Sequence, residues 1–88
     1  MARAWFFYTK TNPNDACVAS NYSTSGDLQN CSPINAINIC AVFATVSGTQ
    51  PVITTNLCSY LNAACAWTPC SDQPAGLAVK KYVLVRPQ

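Results

Sequence analysis

Short apolar runs separated by polar, turn-forming stretches make up most of the chain. Residues 4–10 (AWFFYTK) are aromatic and β-prone, residues 37–46 (INICAVFATV) are almost continuously apolar, and residues 77–86 (LAVKKYVLVR) form a third β-prone run. Runs of this length, rich in β-branched and aromatic residues, are typical of strands. A continuous apolar run also indicates a strand that is buried on both faces. The pattern predicts a mostly β domain, a small sheet or sandwich of four or more short strands.

The middle of the chain predicts a hairpin followed by an ambiguous segment. The turn sequence SGTQ separates the run 37–46 from a second β-prone run, 51–57, and together they predict a β-hairpin over residues 37–57. Residues 57–66 then place apolar side chains at helical spacing, and Asn56 could cap a helix there. This segment is compatible with one short helix or with irregular chain.

A long polar stretch follows the first strand. Residues 11–36 are rich in Asn, Ser, Thr, Asp and Pro, which favour turns over strands or helices. The stretch therefore predicts a long loop, and it contains Cys17 and Cys31. A loop of this length without secondary structure is unusual in a compact domain, so we expect a disulfide to close it.

Six cysteines in 88 residues predict a disulfide framework: Cys17, Cys31, Cys40, Cys58, Cys65 and Cys70. A chain this short buries only about 60–65% of its unfolded surface, and each disulfide would add about 2–4 kcal/mol. Disulfides persist in oxidising compartments, so we expect one secreted or cell-surface domain spanning residues 1–88. The residues Ala2-Arg3-Ala4 match the small-x-small pattern before a signal cleavage site, which would start the mature chain near Trp5.

The predicted hairpin suggests how the cysteines pair. A three-residue turn at Gly48–Gln50 would place Ser47 opposite Pro51, and this register sets Cys40 opposite Cys58. Directly opposed strand residues lie close to disulfide reach. The other pairs, Cys17–Cys31 and Cys65–Cys70, then follow as the shortest and least costly closures.

The inventory of side chains argues against most catalytic chemistry. The chain has no histidine and no glutamate, and its three aspartates all lie beside turn residues. Histidine-based triads are therefore excluded, paired carboxylates are not expected, and we predict neither an enzyme nor a cofactor. An all-cysteine zinc site needs close pairs of the form C-x₂₋₄-C, and only Cys65-x₄-Cys70 comes near this spacing, so we predict no metal.

The charge and hydropathy of the chain limit the kinds of partner that we expect for it. A net charge of +2, with only 9% charged residues, lacks the basic stripe of a nucleic-acid-binding domain. No run approaches the roughly 20 apolar residues of a membrane helix. Sparse charge also removes the repulsion that keeps proteins monomeric, which favours association with copies of itself.

The aromatic cluster in the first strand is the candidate interface, and it consists of Trp5, Phe6, Phe7 and Tyr8. Side chains alternate across a strand, so four consecutive aromatics cannot all face one core. The aromatic side chains on the other face of the strand must therefore be covered by something other than this core. The chain's own loop, another subunit or a ligand could supply this cover.

Parts of the chain resemble a known kind of protein. The run Asn38–Val42 (NICAV), the Ser/Thr/Asn-rich middle and the apolar end Tyr82–Pro87 (YVLVRP) resemble small exported cysteine-containing proteins of unknown function from Bacteroidota. The resemblance is one of pattern. It implies export and assigns no functional residue.

Two functions compete at this point. The first is a non-enzymatic secreted structural protein that self-assembles, as an extracellular filament or surface-layer subunit, through its aromatic strand. The alternative is a monomeric secreted binding module, such as an inhibitor, toxin or effector, that presents loop 11–36 to an extracellular protein partner. Sedimentation of the native protein separates the two, because only the first predicts polymers.

Overall fold

A computed structural model describes residues 2–66, 69–76 and 78–87 of the chain. It contains five strands and one α-helix, together with three single-turn 3₁₀ helices inside the polar loop, at Pro13–Asp15, Ala19–Asn21 and Leu28–Asn30. The strands and the helix are β1 (Arg3–Tyr8), β2 (Tyr22–Ser23), β3 (Asn38–Ser47), β4 (Gln50–Pro51), α1 (Thr55–Ala64) and β5 (Val83–Arg86). The five strands form one antiparallel sheet, which confirms the prediction of a mostly β, disulfide-stapled domain.

The central strand β3 has neighbours on both of its edges. One edge pairs with β1, where Trp5 is opposite Phe43 and Phe6 is opposite Val42, and β1 pairs in turn with β2. The other edge pairs with β5 along its first half and with β4 at its end. The continuous apolar run that predicted this strand is therefore explained, because β3 is surrounded by other strands.

One face of the sheet and one face of α1 enclose the core. Phe6, Val42 and Val83 are fully buried there, and Leu61 of the helix contributes from the other side. The helix follows the predicted periodicity, since its buried residues are Leu57, Leu61 and Ala64. The sheet is thus covered by a helix and does not form a sandwich.

The predicted hairpin is corrected in its second half. The turn contains two residues, Gly48 and Thr49, and it pairs Ser47 with Gln50, so the predicted register was wrong by one residue. Gly48 has a positive φ of 64°, as the first central residue of a tight hairpin turn requires. The second strand of the hairpin, β4, ends at Pro51, and the chain enters α1 four residues later, at Thr55.

The start of α1 resolves the ambiguity in the sequence. Thr54 is the N-cap, and its hydroxyl oxygen accepts a hydrogen bond from the backbone N–H of Leu57 at 3.1 Å. The cap therefore lies two residues before Asn56, the residue that the sequence suggested. Residues 55–57, predicted as strand, are the first turn of the helix.

The outer strands are shorter than predicted. The first covers Arg3–Tyr8 where we predicted 4–10, and the last covers Val83–Arg86 where we predicted 77–86. Residue 77 lies outside the described residues. Loop 11–36 is irregular over most of its length, apart from its 3₁₀ turns and β2.

All six cysteines form disulfides, and two of the three predicted pairs are wrong. The bonds join Cys17 to Cys58, Cys31 to Cys40, and Cys65 to Cys70, of which only the last was predicted. The reason is the helix. Cys58 lies in the first turns of α1, so it cannot stand opposite Cys40 in a hairpin.

The described part of the chain contains no helix with the length and apolar character needed to cross a bilayer.

Candidate binding surfaces

The aromatic residues of β1 divide between the two faces of the sheet. Phe6 and Tyr8 point into the core, with 0% and 3% of their surface exposed. Trp5 and Phe7 lie on the opposite face and are partly buried. Phe6 and Tyr8 are therefore not available to a partner, which leaves Trp5 and Phe7 as the members of the predicted interface on the outer face.

The chain's own loop covers one of these two side chains. Gly26 lies against the ring of Phe7, so closely that a Cβ at this glycine would come within 2.3 Å of the ring carbon Cγ. Trp5 instead packs on Phe43, with ring centroids 5.3 Å apart. Trp5 is thus the member of the predicted cluster that stays a candidate for contact with a partner.

Two buried tyrosines anchor the first half of the long loop. The hydroxyl of Tyr8 donates to the carbonyl of Asn12 at 2.6 Å, and the hydroxyl of Tyr22 donates to the carbonyl of Ala16 at 2.5 Å. Burial raises the pKa of Tyr22 well above its ordinary value, and burial followed by the charge of Asp15 raises the pKa of Tyr8. These hydroxyls therefore act as neutral donors that fix the loop.

The disulfide Cys31–Cys40 closes a second segment, which we call the tethered loop (residues 31–40). It exposes two large hydrophobic side chains, Ile34, which is 71% exposed, and Ile37, which is 54% exposed. Ala36, between them, is fully buried. The loop thus shows two isoleucines to solvent from a segment that is anchored to the core.

Backbone hydrogen bonds fix the tethered loop at its centre. The carbonyl of Ala36 accepts from the N–H of Cys70 at 2.9 Å, and the N–H of Ile37 donates to the carbonyl of Arg86 at 2.9 Å. Asn35 adopts a left-handed φ of 55°, a conformation that asparagine tolerates better than most residues. The isoleucines are therefore presented by a rigid turn.

A groove lies beside residues 43–45 of β3, between the part of this strand that pairs with β5 and the part that pairs with β4. Its volume is about 250 Å³. We call it the aromatic groove, and its lining residues are Arg3, Phe43, Ala44, Thr45, Val52, Thr54, Asn56, Leu57, Tyr60 and Tyr82. The strands β1 and β3, the helix α1 and the segments before α1 and before β5 contribute to it, so its shape depends on the whole fold.

Aromatic rings and cations dominate the chemistry of the groove. The rings of Tyr60 and Tyr82 are nearly parallel, with an angle of 9° and centroids 6.2 Å apart, and Phe43 lies 6.4 Å from Tyr82. The ammonium group of Lys80 lies 5.0 Å from the ring centroid of Phe43, within the range of a cation–π contact. Arg3 adds a second positive charge at the groove.

Two of the three aspartates serve local structure. Asp27 accepts a hydrogen bond from the backbone N–H of Gln29 at 2.9 Å, and Asp72 accepts one from the N–H of Val85 at 3.1 Å. Within the described residues, His, Cys, Asp and Glu form no cluster of three that could hold a metal ion.

Sequence reasoning missed both of these surfaces. Ile34 and Ile37 lie where the sequence predicts a loop and the start of a strand, and only the exposure of their side chains marks them. The groove residues Tyr60 and Tyr82 are 22 positions apart and meet through the packing of α1 beside β5. A periodic pattern in the sequence signals neither surface.

Comparison with protein families, curated proteins and solved structures finds no match to this chain.

Proposed function

We propose that this protein is a secreted, non-enzymatic binding module that contacts a protein partner through the tethered loop. The observation that carries the proposal is the position of Ile34. It is 71% exposed, yet it stands on a loop closed by a disulfide and pinned by backbone hydrogen bonds. A single exposed isoleucine on a flexible loop would need no functional explanation. A rigid loop, in contrast, holds this side chain in a fixed position in which it can enter a complementary pocket.

Rigidity matters because it lowers the cost of association. Ordering a loop on binding consumes part of the interaction free energy, and a preformed loop avoids this loss. Full burial of an isoleucine contributes about 1.5–3 kcal/mol. Scaled by the exposed fractions of 71% and 54%, burying Ile34 and Ile37 against a partner would contribute about 2–4 kcal/mol in total.

The remaining elements of the proposal follow from composition. Three disulfides in an 88-residue chain suit an oxidising, extracellular environment. The absence of histidine and glutamate from the sequence, and the use of Asp27 and Asp72 as backbone acceptors, support a role without catalysis. The partner is accordingly an extracellular protein with an apolar pocket.

Photo-crosslinking tests the proposal directly. A photoreactive side chain at position 34 is expected to capture a defined protein from the extracellular fluid of the source organism. The same group at position 79 serves as the matched control, because Val79 is also aliphatic and 45% exposed. The affinity of the captured protein should then fall about 5- to 30-fold for Ile34→Ser and stay unchanged for Val79→Ser. Equal affinity of both variants would refute the role of the loop.

A second candidate function, self-assembly, is favoured by the open edge of β1. The strand β2 pairs with β1 only at Phe7 and Tyr8, so within the described residues the outer edge from Arg3 to Phe6 has no paired strand. Such an edge can add a strand from another copy. The carbonyl of Ala2 bonds to β3, so by alternation the backbone groups of Arg3 and Trp5 point outward.

Sedimentation velocity distinguishes this candidate from the first. Polymers that disappear in Arg3→Pro would support edge pairing, because proline removes an outward N–H while leaving the bonds to β3 in place. A monomer at all concentrations, or polymers that persist in this variant, would exclude assembly through this edge.

A further inference from the structure

We propose that the aromatic groove binds a pyranose sugar unit that carries a carboxylate or sulfate group, as in an anionic polysaccharide. This site is separate from the tethered loop and does not depend on the function proposed above. Its residues come from β1, β3, α1 and the segment before β5.

The size of the groove restricts the ligand to a small unit. A volume of about 250 Å³ falls just below the roughly 300–1,000 Å³ of sites for drug-sized molecules. One sugar ring is of suitable size. The groove is open to solvent, so a polymer could continue beyond its ends while one ring occupies it.

The walls of the groove match the two faces of a sugar ring. Phe43, Tyr60 and Tyr82 offer apolar ring surfaces, on which the C–H face of a pyranose can pack. Thr45, Thr54 and Asn56 line the same groove and supply hydroxyl and amide groups for ring hydroxyls. Apolar walls with a few polar groups are the usual composition of a small-molecule site.

The charges select an anion. Arg3 lines the groove and the Lys80 ammonium lies above the rings of Phe43 and Tyr82, at 5.0 and 5.8 Å from their centroids. None of the described lining residues is acidic. A cationic ligand would meet repulsion from both groups. A negatively charged ligand would gain attraction from both.

An NMR titration of the labelled protein tests the proposal with four probes of equal length. These are trigalacturonate, a sulfated galactose trimer, the neutral galactose trimer and triglutamate. The first two share the proposed chemistry and distinguish carboxylate from sulfate. A bound sugar unit of about 13 non-hydrogen atoms is expected to have a dissociation constant of about 1 mM. We expect saturable shifts at Thr45, Asn56 and Tyr82 with at least one anionic sugar.

Charge and amide variants locate the binding site. The double variant Arg3→Gln/Lys80→Gln should weaken binding about 3- to 10-fold at low salt, and Asn56→Ala about 2- to 10-fold. Each of these side chains is exposed, so the fold should survive. Lys10→Gln is the matched control, because Lys10 lies beyond the far end of β1 and this strand alone places Tyr8 roughly 17 Å from Arg3. It should leave the affinity unchanged.

Several results would overturn the proposal. If the neutral trimer binds as tightly as the anionic sugars, the groove does not select for charge. If triglutamate binds as tightly as they do, the groove binds anions in general and does not recognise a sugar. Weakening by Lys10→Gln as strong as by the double variant would show diffuse attraction to a basic protein. The proposal also fails if none of the probes shifts the groove residues at about 20 mM, far above the expected dissociation constant.

Discussion

The contact between Gly26 and Phe7 makes the sharpest stability prediction. Gly26→Ala would place a methyl carbon 2.3 Å from Cγ of the Phe7 ring and 2.6 Å from both Cδ atoms. Carbon atoms pack best at about 3.5–4.0 Å. The ring or the loop must therefore retreat by at least about 1.2 Å, which is the difference between 3.5 Å and the 2.3 Å contact.

The Phe7 side of this contact cannot move freely. Phe7 pairs with Ala41 on one edge of β1 and with Ser23 on the other, so its backbone is fixed. Overpacking of this kind typically costs about 1–3 kcal/mol. For a domain of this size, each kcal/mol lowers Tm by about 4–8 °C. We therefore expect Gly26→Ala to lower the free energy of unfolding by about 1–3 kcal/mol.

A double-mutant cycle isolates the clash from other effects of the substitution. In the background Phe7→Ala the ring is absent, so Gly26→Ala should be neutral or stabilising by a few tenths of a kcal/mol through the unfolded chain. The coupling free energy between the two sites should then be about 1–3 kcal/mol, measured by urea unfolding of all four proteins. Additive effects of the two substitutions would refute the covering of Phe7 by the loop.

Two further predictions concern the disulfides and the buried tyrosines. In the chain-entropy relation, removing Cys17–Cys58, with a separation of 41 residues, should cost about 4 kcal/mol, against about 2 kcal/mol for Cys65–Cys70, with a separation of 5. Urea unfolding of Cys17→Ser/Cys58→Ser and of Cys65→Ser/Cys70→Ser measures the two losses. The entropic argument is wrong if the second variant loses more stability than the first. Because the pKa of Tyr22 is raised in the folded state, its contribution is complete below the unfolded pKa of about 10 and is lost above it. Stability should fall between pH 10 and 11 by about 1 kcal/mol more than in Tyr22→Phe, because at pH 10 half of the unfolded chains have already lost this proton. Urea unfolding of both proteins at the two pH values would measure the difference.

The sequence predicted those features that depend on local composition. The apolar run 37–46 became the central strand, and residues 11–36 became an irregular loop, because hydrophobic periodicity and turn residues act over a few positions. The state of the cysteines was predictable for the same reason, since number and spacing decide it.

The features that the sequence left open depend on tertiary packing. Residues 51–57 carry β-branched side chains and were predicted as strand, but the hydroxyl of Thr54 caps a helix that buries Leu57 and Leu61 against the sheet. This tertiary gain outweighs a weak strand propensity. Cys58 lies in this helix and not in a strand, so the partner of each cysteine could not be predicted from spacing in the sequence.

The disulfides and the exposed isoleucines belong to one account of the molecule. Two of the three bonds attach the long loop to regular elements, Cys17 to α1 and Cys31 to β3. A chain this small has a marginal core, and leaving Ile34 and Ile37 in water forgoes about 2–4 kcal/mol of burial. One disulfide offsets a loss of that size. A fold stapled in this way can keep apolar side chains at its surface and remain folded, which is the condition that a binding loop requires.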